Sequence, residues 1–149
     1  MRLLVLLIAT LPCHAAAQAC PEPPVAEMQI HLDAVNAARA RARRAPVRLS
    51  RELSVLAQAH ACDMARRTYF DHRSPEGATL MDRARRAGLQ GRCAVGENIA
   101  RGQPDVPRVM ASWMRSPGHR GNILKPAFRE VGLGRAPGAH WVQVFAAPC

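Results

Sequence analysis

From Val25 to Arg44 apolar or small residues fall at Met28, Leu32, Val35 and Ala38, three or four positions apart. That period predicts an amphipathic helix, stopped by Pro46, which has no N–H to donate and crowds the preceding turn. Ser50 precedes a second stripe, Leu53, Leu56, Ala57, His60, Ala61 and Met64, so a capped helix is expected to end near Thr68. "TYFDHRSPEG" breaks the period and reads as a loop. Thr79 caps a short third helix closed by Gly88, and "GRCAVGENIARG" is too short and irregular to assign. Asp105 and Pro107 open a fourth helix with Val106, Val109, Met110, Trp113 and Met114 on its apolar side, which makes Trp113 a core anchor. Ser116-Pro117-Gly118 ends it. "EVGLGRA" and "HWVQVFAA", parted by Pro137-Gly138, then switch to β-prone residues and predict two antiparallel strands. Helices first and a hairpin last suggest an α+β domain.

The start of the chain changes the picture of where this domain works. Met1-Arg2, the apolar run Leu3 to Leu11 and Ala17-Gln18-Ala19 fit a cleavable signal peptide over residues 1–19. The run is too short for a membrane helix, and nothing later resembles one. A secreted or periplasmic product, residues 20–149, is expected as one monomeric domain, since about 130 residues make one core and not two. The poor fit of Ala17-Gln18 to a lipobox argues against a lipoprotein. Cys13 leaves with the leader, so Cys20, Cys62, Cys93 and Cys149 remain for two disulfides with three possible pairings. Cys62–Cys93, near the histidine motifs, and Cys20–Cys149, joining the ends, are the expected bonds.

The net charge of +10, or +9 once Arg2 is removed, is almost all arginine. A basic exported surface favours anionic envelope polymers, acidic polysaccharide or anionic lipid headgroups. Nucleic acid fits poorly, because "RARARR", Arg39 to Arg44, has no aromatic residue for stacking and matches no DNA- or RNA-binding motif. A solvated helix end whose cations complement the dipole explains that run.

His72 and His119 each lie beside a Ser-Pro pair, Ser74-Pro75 and Ser116-Pro117, at element boundaries. Loops at such boundaries deliver functional groups. Glu97, in "GENIA", is an acid among apolar residues and needs a partner. Two imidazoles and a carboxylate suit Zn²⁺ or another divalent metal with open positions. They equally suit a proton-shuttling group oriented by Glu97, or a hydrogen-bonded cluster that only fixes the core. His31, His60 and His140 fall within periodic segments and read as structural or solvated. No G-x-S-x-G nucleophile motif is present, and Ser74 and Ser116 suit turn-closing roles.

Taken in order, "VNAARA", the helix ending "HACDM", "FDHRSPEG", "GENIA", "SWMRSPGHRGNIL", "EVGLG" and "WVQVF" resemble the bacterial branch of the CAP superfamily. This is the SCP/TAPS group related to cysteine-rich secretory proteins, antigen 5 and plant pathogenesis-related proteins. The resemblance implies an α-β-α sandwich, a small antiparallel sheet between helical layers, and a cleft in which His72, Glu97 and His119 meet beside Ser74 and Ser116. It also implies a second acid three positions after Trp113, where this chain has Ser116. CAP domains are linked to several activities. The expected function is a binding or interaction module with a divalent-metal cleft; the alternatives are a metal-dependent hydrolase with Glu97 as base and a lipid- or sterol-binding protein.

Overall fold

The computed structural model describes residues 20–149; the leader assigned to residues 1–19 lies outside the described residues. The first helix, α1 (Val25–Arg41), is shorter than the stripe suggested, because Ala42–Arg44 turn away with Arg43 in the left-handed region at φ 53. A two-residue strand, β1 (Arg48–Leu49), precedes α2 (Arg51–Arg66), whose first turn is capped by Ser50 Oγ accepting the Leu53 N–H at 3.3 Å. Thr79 and Asp82 form a reciprocal capping box on α3 (Leu80–Arg86). The unassigned glycine-bounded segment is a ten-residue strand, β2 (Arg92–Arg101).

Helix α4 (Val106–Arg115) starts where Asp105 accepts the Arg108 N–H. The expected stop at Ser116-Pro117-Gly118 is a junction instead: Ser116 ends α4 and begins α5 (Pro117–Leu124), with Pro117 at the first helical position. Proline is tolerated there because that N–H has no intrahelical partner. The chain ends in the predicted hairpin, β3 (Glu130–Ala136) and β4 (His140–Pro148).

The sheet order is β1-β3-β4-β2, antiparallel except for β1, which runs parallel to β3. Alternation along β4 sends Trp141 and Phe145 to one face, where they pack with Val35, Val109, Trp113 and Ile123 of α1, α4 and α5. Val142, Val144 and Ala146 point to the other, against Leu53, Ala57, Ala61 and Met64 of α2. The result is an α-β-α sandwich with both sheet faces covered. Trp113 is fully buried, and its Nε1–H donates to Ile99 O of β2 at 3.1 Å, so it anchors the core as its stripe predicts.

Gly132 and Gly134 let α2 lie directly on β3. A Cβ on Gly132 would stand 2.0 Å from the Leu53 carbonyl carbon, and one on Gly134 would stand 2.5 Å from Gln58 N. The backbone contact is completed by Ser54 Oγ accepting from Leu133 N–H and Gln58 Oε1 accepting from Arg135 N–H.

The disulfides correct the sequence expectation. Cys20 pairs with Cys62 and Cys93 with Cys149, so neither Cys62–Cys93 nor Cys20–Cys149 forms. Topology gives the reason. Cys62 is in the last turns of α2, beside the lead segment that Gln58 holds by donating to Pro21 O at 2.8 Å. Cys93 is near the start of β2, next to the end of its antiparallel partner β4, and Cys149 N–H donates to Gly91 O at 3.2 Å.

Candidate functional site

Strand β2 is an edge strand, and its neighbouring residues Glu97 and Asn98 point to opposite faces. Glu97 enters the layer of α2 and α3; Asn98 enters the layer of α1, α4 and α5. The candidate site is therefore built around one strand edge, with a contribution from each layer.

On the first face the Glu97 side chain is 4% exposed. His72 Nδ1–H donates to its Oε1 at 2.8 Å, and Arg83 Nη2 donates to its Oε2 at 2.6 Å. His60, buried on α2, lies 3.8 Å from the same Oε1. The His60 Nε2–H donates to Asp71 O at 3.0 Å, and Arg83 Nη1 donates to His72 O at 2.8 Å. These two bonds fix the loop that presents His72. Ser74 closes the same loop, its Oγ accepting from Ala78 N–H and its carbonyl from Gly77 N–H.

On the second face Asn98 Nδ2 donates to His119 O and to Gln143 Oε1, both at 3.1 Å. Asn122 Nδ2 donates to Glu97 O at 3.1 Å and Asn98 Oδ1 at 2.9 Å. Gln143 Nε2 continues the chain to His31 Nε2 at 2.9 Å. Gly96 makes room for it, since a Cβ there would be 2.9 Å from Asn122 Oδ1. Ser116 makes no capping bond and is partly exposed at the α4–α5 junction.

Charge and burial separate the imidazoles. The hydrogen bond that His72 donates to Glu97 raises the pKa of the histidine, against the partial burial that lowers it. Burial lowers that of His119, and repulsion from His72 adds to the effect. Burial also lowers His60, with the Glu97 charge opposing. The structure thus joins His72 directly to Glu97, while His119 is tied to the site through its carbonyl, which accepts from Asn98 Nδ2. Among the described residues, however, no three His, Cys, Asp or Glu side chains converge as a metal-binding group.

Several participants were not singled out from sequence. Arg83 looks like any other cation in "DRARR", and His60 like one more residue of a helical stripe. Asn98 and Asn122 stand next to or near named candidates, which is the only signal the sequence offers. Arg39, read as part of a solvated run, is fully buried: it donates to Ala45 O and Ile123 O at 2.7 Å, Phe128 O at 3.1 Å and Lys125 O at 3.2 Å. It thereby holds the C-terminal end of α5, the helix that carries His119.

Residues 32–147 match the family described as CAP, the cysteine-rich secretory protein family. The protein YkwD of Bacillus subtilis is 38% identical over 115 residues, 76% of this chain and 44% of that protein. A crystal structure of an extracellular SCP-domain protein of Bacillus anthracis superposes with a TM-score of 0.75 at 30% identity, covering 85% of this chain and 44% of the other. An outer surface protein of Borrelia burgdorferi shares the fold alone, at a TM-score of 0.78 and 18% identity, over 85% of this chain and 96% of that one. The chain spans less than half the length of the B. subtilis and B. anthracis proteins. On the family match, the B. subtilis relative and the shared sandwich, the chain belongs to the CAP family.

Proposed function

We propose that this is an extracytoplasmic CAP-domain binding module whose cleft presents His72 and His119 to a divalent cation shared with an outside ligand. The observation that carries the reading is the buried Glu97 carboxylate, held by Arg83 on one oxygen and by His72 Nδ1 on the other. A carboxylate behind an imidazole fixes its tautomer and leaves Nε2 free, the usual support of a metal-ligating histidine. Both Glu97 oxygens have partners, so in this reading Glu97 orients and does not ligate. Two imidazoles are a sparse donor set, and they fit an ion that completes its coordination with water or a ligand group.

His72 and His119 would hold the ion, which would supply a Lewis-acidic point for an anionic or carbonyl oxygen. The protein's own residues do the rest. The lowered pKa of His119 favours the neutral ring that metal binding requires, whereas the raised pKa of His72 sets protons in competition with the ion there. His60 and Arg83 fix the His72 loop, and Asn98 and Asn122 fix the backbone of His119 and Glu97. The two disulfides and the extracellular SCP-domain protein of Bacillus anthracis support action outside the cytoplasm. Among the described residues no helix is long and apolar enough to cross a membrane.

Zinc titration calorimetry near neutral pH tests the reading. One site is expected, lost in His72→Ala and in His119→Ala and weakened about 10- to 100-fold in Glu97→Gln. Undiminished zinc affinity in the double variant His72→Ala/His119→Ala would place the ion elsewhere.

A further inference from the structure

The end of the molecule built from the C-termini of α1 and α5 carries a concentration of positive charge that the cleft does not use. Neither residues 34–51 nor residues 106–129 contain an Asp or Glu. The buried Arg39 ties these segments together, and Arg44 and Arg129 stand close enough to it to repel its charge. Around that point Arg41, Arg43, Arg44, Lys125 and Arg129 are all exposed. None of the five makes an ion pair among the described residues. The nearest acid in sequence, Glu130, is buried and already paired with Arg48 and Arg92.

Helix capping does not account for them. The carbonyls closing α1 accept from the backbone N–H groups of Ala42, Arg43 and Arg44, and those at the end of α5 accept from Arg39 and Lys125 N–H. Arg129 Nη1 donates to Pro126 O and Phe128 O, which leaves its charge unneutralised; five exposed cations around Arg39 therefore have no acidic partner among the described residues, and a field of one sign gathers polyanions.

We infer that this face binds a linear acidic polysaccharide. Guanidinium groups match carboxylates as two-pronged donors, and four of the five cations are arginines. The large exposed hydrophobics, Val25, Ile30, Val55, Phe70 and Met81, all lie outside both segments. Phe128 is buried, with Lys125 Nζ 5.0 Å from its ring centroid. The face consequently lacks the apolar wedge that strengthens membrane association and the aromatic platform that strengthens single-stranded nucleic-acid binding. The inference rests on the extracytoplasmic reading above but not on the metal cleft, so failure of zinc binding leaves it standing.

Binding to polygalacturonate tests it, with phosphatidylglycerol-containing vesicles and a single-stranded DNA oligonucleotide as competitors. The wild-type chain should bind at low salt and weaken as salt rises, since screening shortens the reach of these charges. The triple variant Arg43→Gln/Arg44→Gln/Lys125→Gln should lose roughly tenfold or more in affinity. Arg66→Gln/Arg85→Gln/Arg86→Gln removes the same charge elsewhere and should lose far less. Lys125→Glu alone, a single surface change, should weaken binding in the same direction and covers the case of a poorly folded triple variant. Equal losses in the two triple variants, absent wild-type binding, or stronger binding to vesicles or DNA than to polygalacturonate would each overturn the assignment.

Discussion

Acidification should destabilise this protein through a histidine far from the surface. His31 is 3% exposed, stacks on Trp113 at 5.7 Å and meets the edge of Trp141 at 5.9 Å. Its Nε2 accepts from Gln143 Nε2, whose amide orientation is set by Asn98 donating to Gln143 Oε1. A proton on His31 Nε2 would face that donor in an apolar surrounding, and burial alone takes its pKa down to about 3. Because the folded pKa lies below the unfolded value near 6.5, the unfolded chain takes up a proton that the folded chain refuses, and stability falls as pH drops below about 6.5. Between about pH 7.5 and 5 the linkage amounts to about 2 kcal/mol. The figure hardly changes if the folded pKa is a unit higher, since His31 would still be neutral at about pH 5. His60 adds in the same direction, whereas the raised pKa of His72 opposes it. Urea unfolding of wild type and His31→Phe at both pH values isolates the His31 share. At about pH 7.5 the variant should be less stable by roughly 1 to 3 kcal/mol, for the Gln143 donor left without its nitrogen acceptor, and at about pH 5 most of that deficit should have closed. Its loss on acidification should be smaller than that of wild type by about 2 kcal/mol. Parallel losses in the two proteins would refute the argument.

Five further outcomes are expected. Gly132→Ala should cost roughly 3 kcal/mol or more, because the obstructing atoms are helix backbone and cannot move aside. Gly121→Ala in α5 meets open space and should raise stability by about 0.4 to 1 kcal/mol; thermal melts showing similar shifts for both would contradict the packing. Trp113→Ala should cost roughly 3 to 5 kcal/mol by denaturant unfolding, and an unchanged midpoint would remove Trp113 from the core. Glu97→Gln should lower the pKa of His72 measured by proton NMR of the ring, since the bond to Glu97 is what raises it; an unshifted titration would deny that bond. Nonreducing peptide mapping should recover Cys20 with Cys62 and Cys93 with Cys149, and any crossed pair would be inconsistent with the fold.

Elements with a strong period and their own caps were legible from the residues alone. Ser50, Thr79 and Asp105 each mark a helix start, and the β4 run reads plainly as strand. Strand β2 was not legible, because a strand buried against helices on both faces has no clean alternation and Gly96 interrupts it. Helix α5 was hidden by Ser116-Pro117-Gly118, a string that closes one helix and opens the next equally well. The disulfides failed because cysteine pairing depends on which strand ends meet, a long-range fact. His72 and Glu97, both singled out from the sequence, are hydrogen-bonded to each other, and their guanidinium partner was missed because nothing local distinguishes Arg83 from the other arginines of α3.

The two disulfides close loops that share no residue, one from Cys20 to Cys62 and one from Cys93 to Cys149. Residues 63–92 belong to neither loop, and they carry both His72 and Arg83. The candidate site therefore straddles a seam with no crosslink. One peptide-bond cleavage after Arg73, in an exposed loop, would leave two separate polypeptides, each closed on itself by its own disulfide. The His72–Glu97 hydrogen bond would then run between different chains, held together without a covalent link by the packing of α2 on β3 and β4, the pairing of β1 with β3 and the bonds of Arg39 to α5 and the segment after it. Oxidation closes a loop on each side of the candidate site, while the site itself is bridged by a single stretch of backbone with an exposed loop in it.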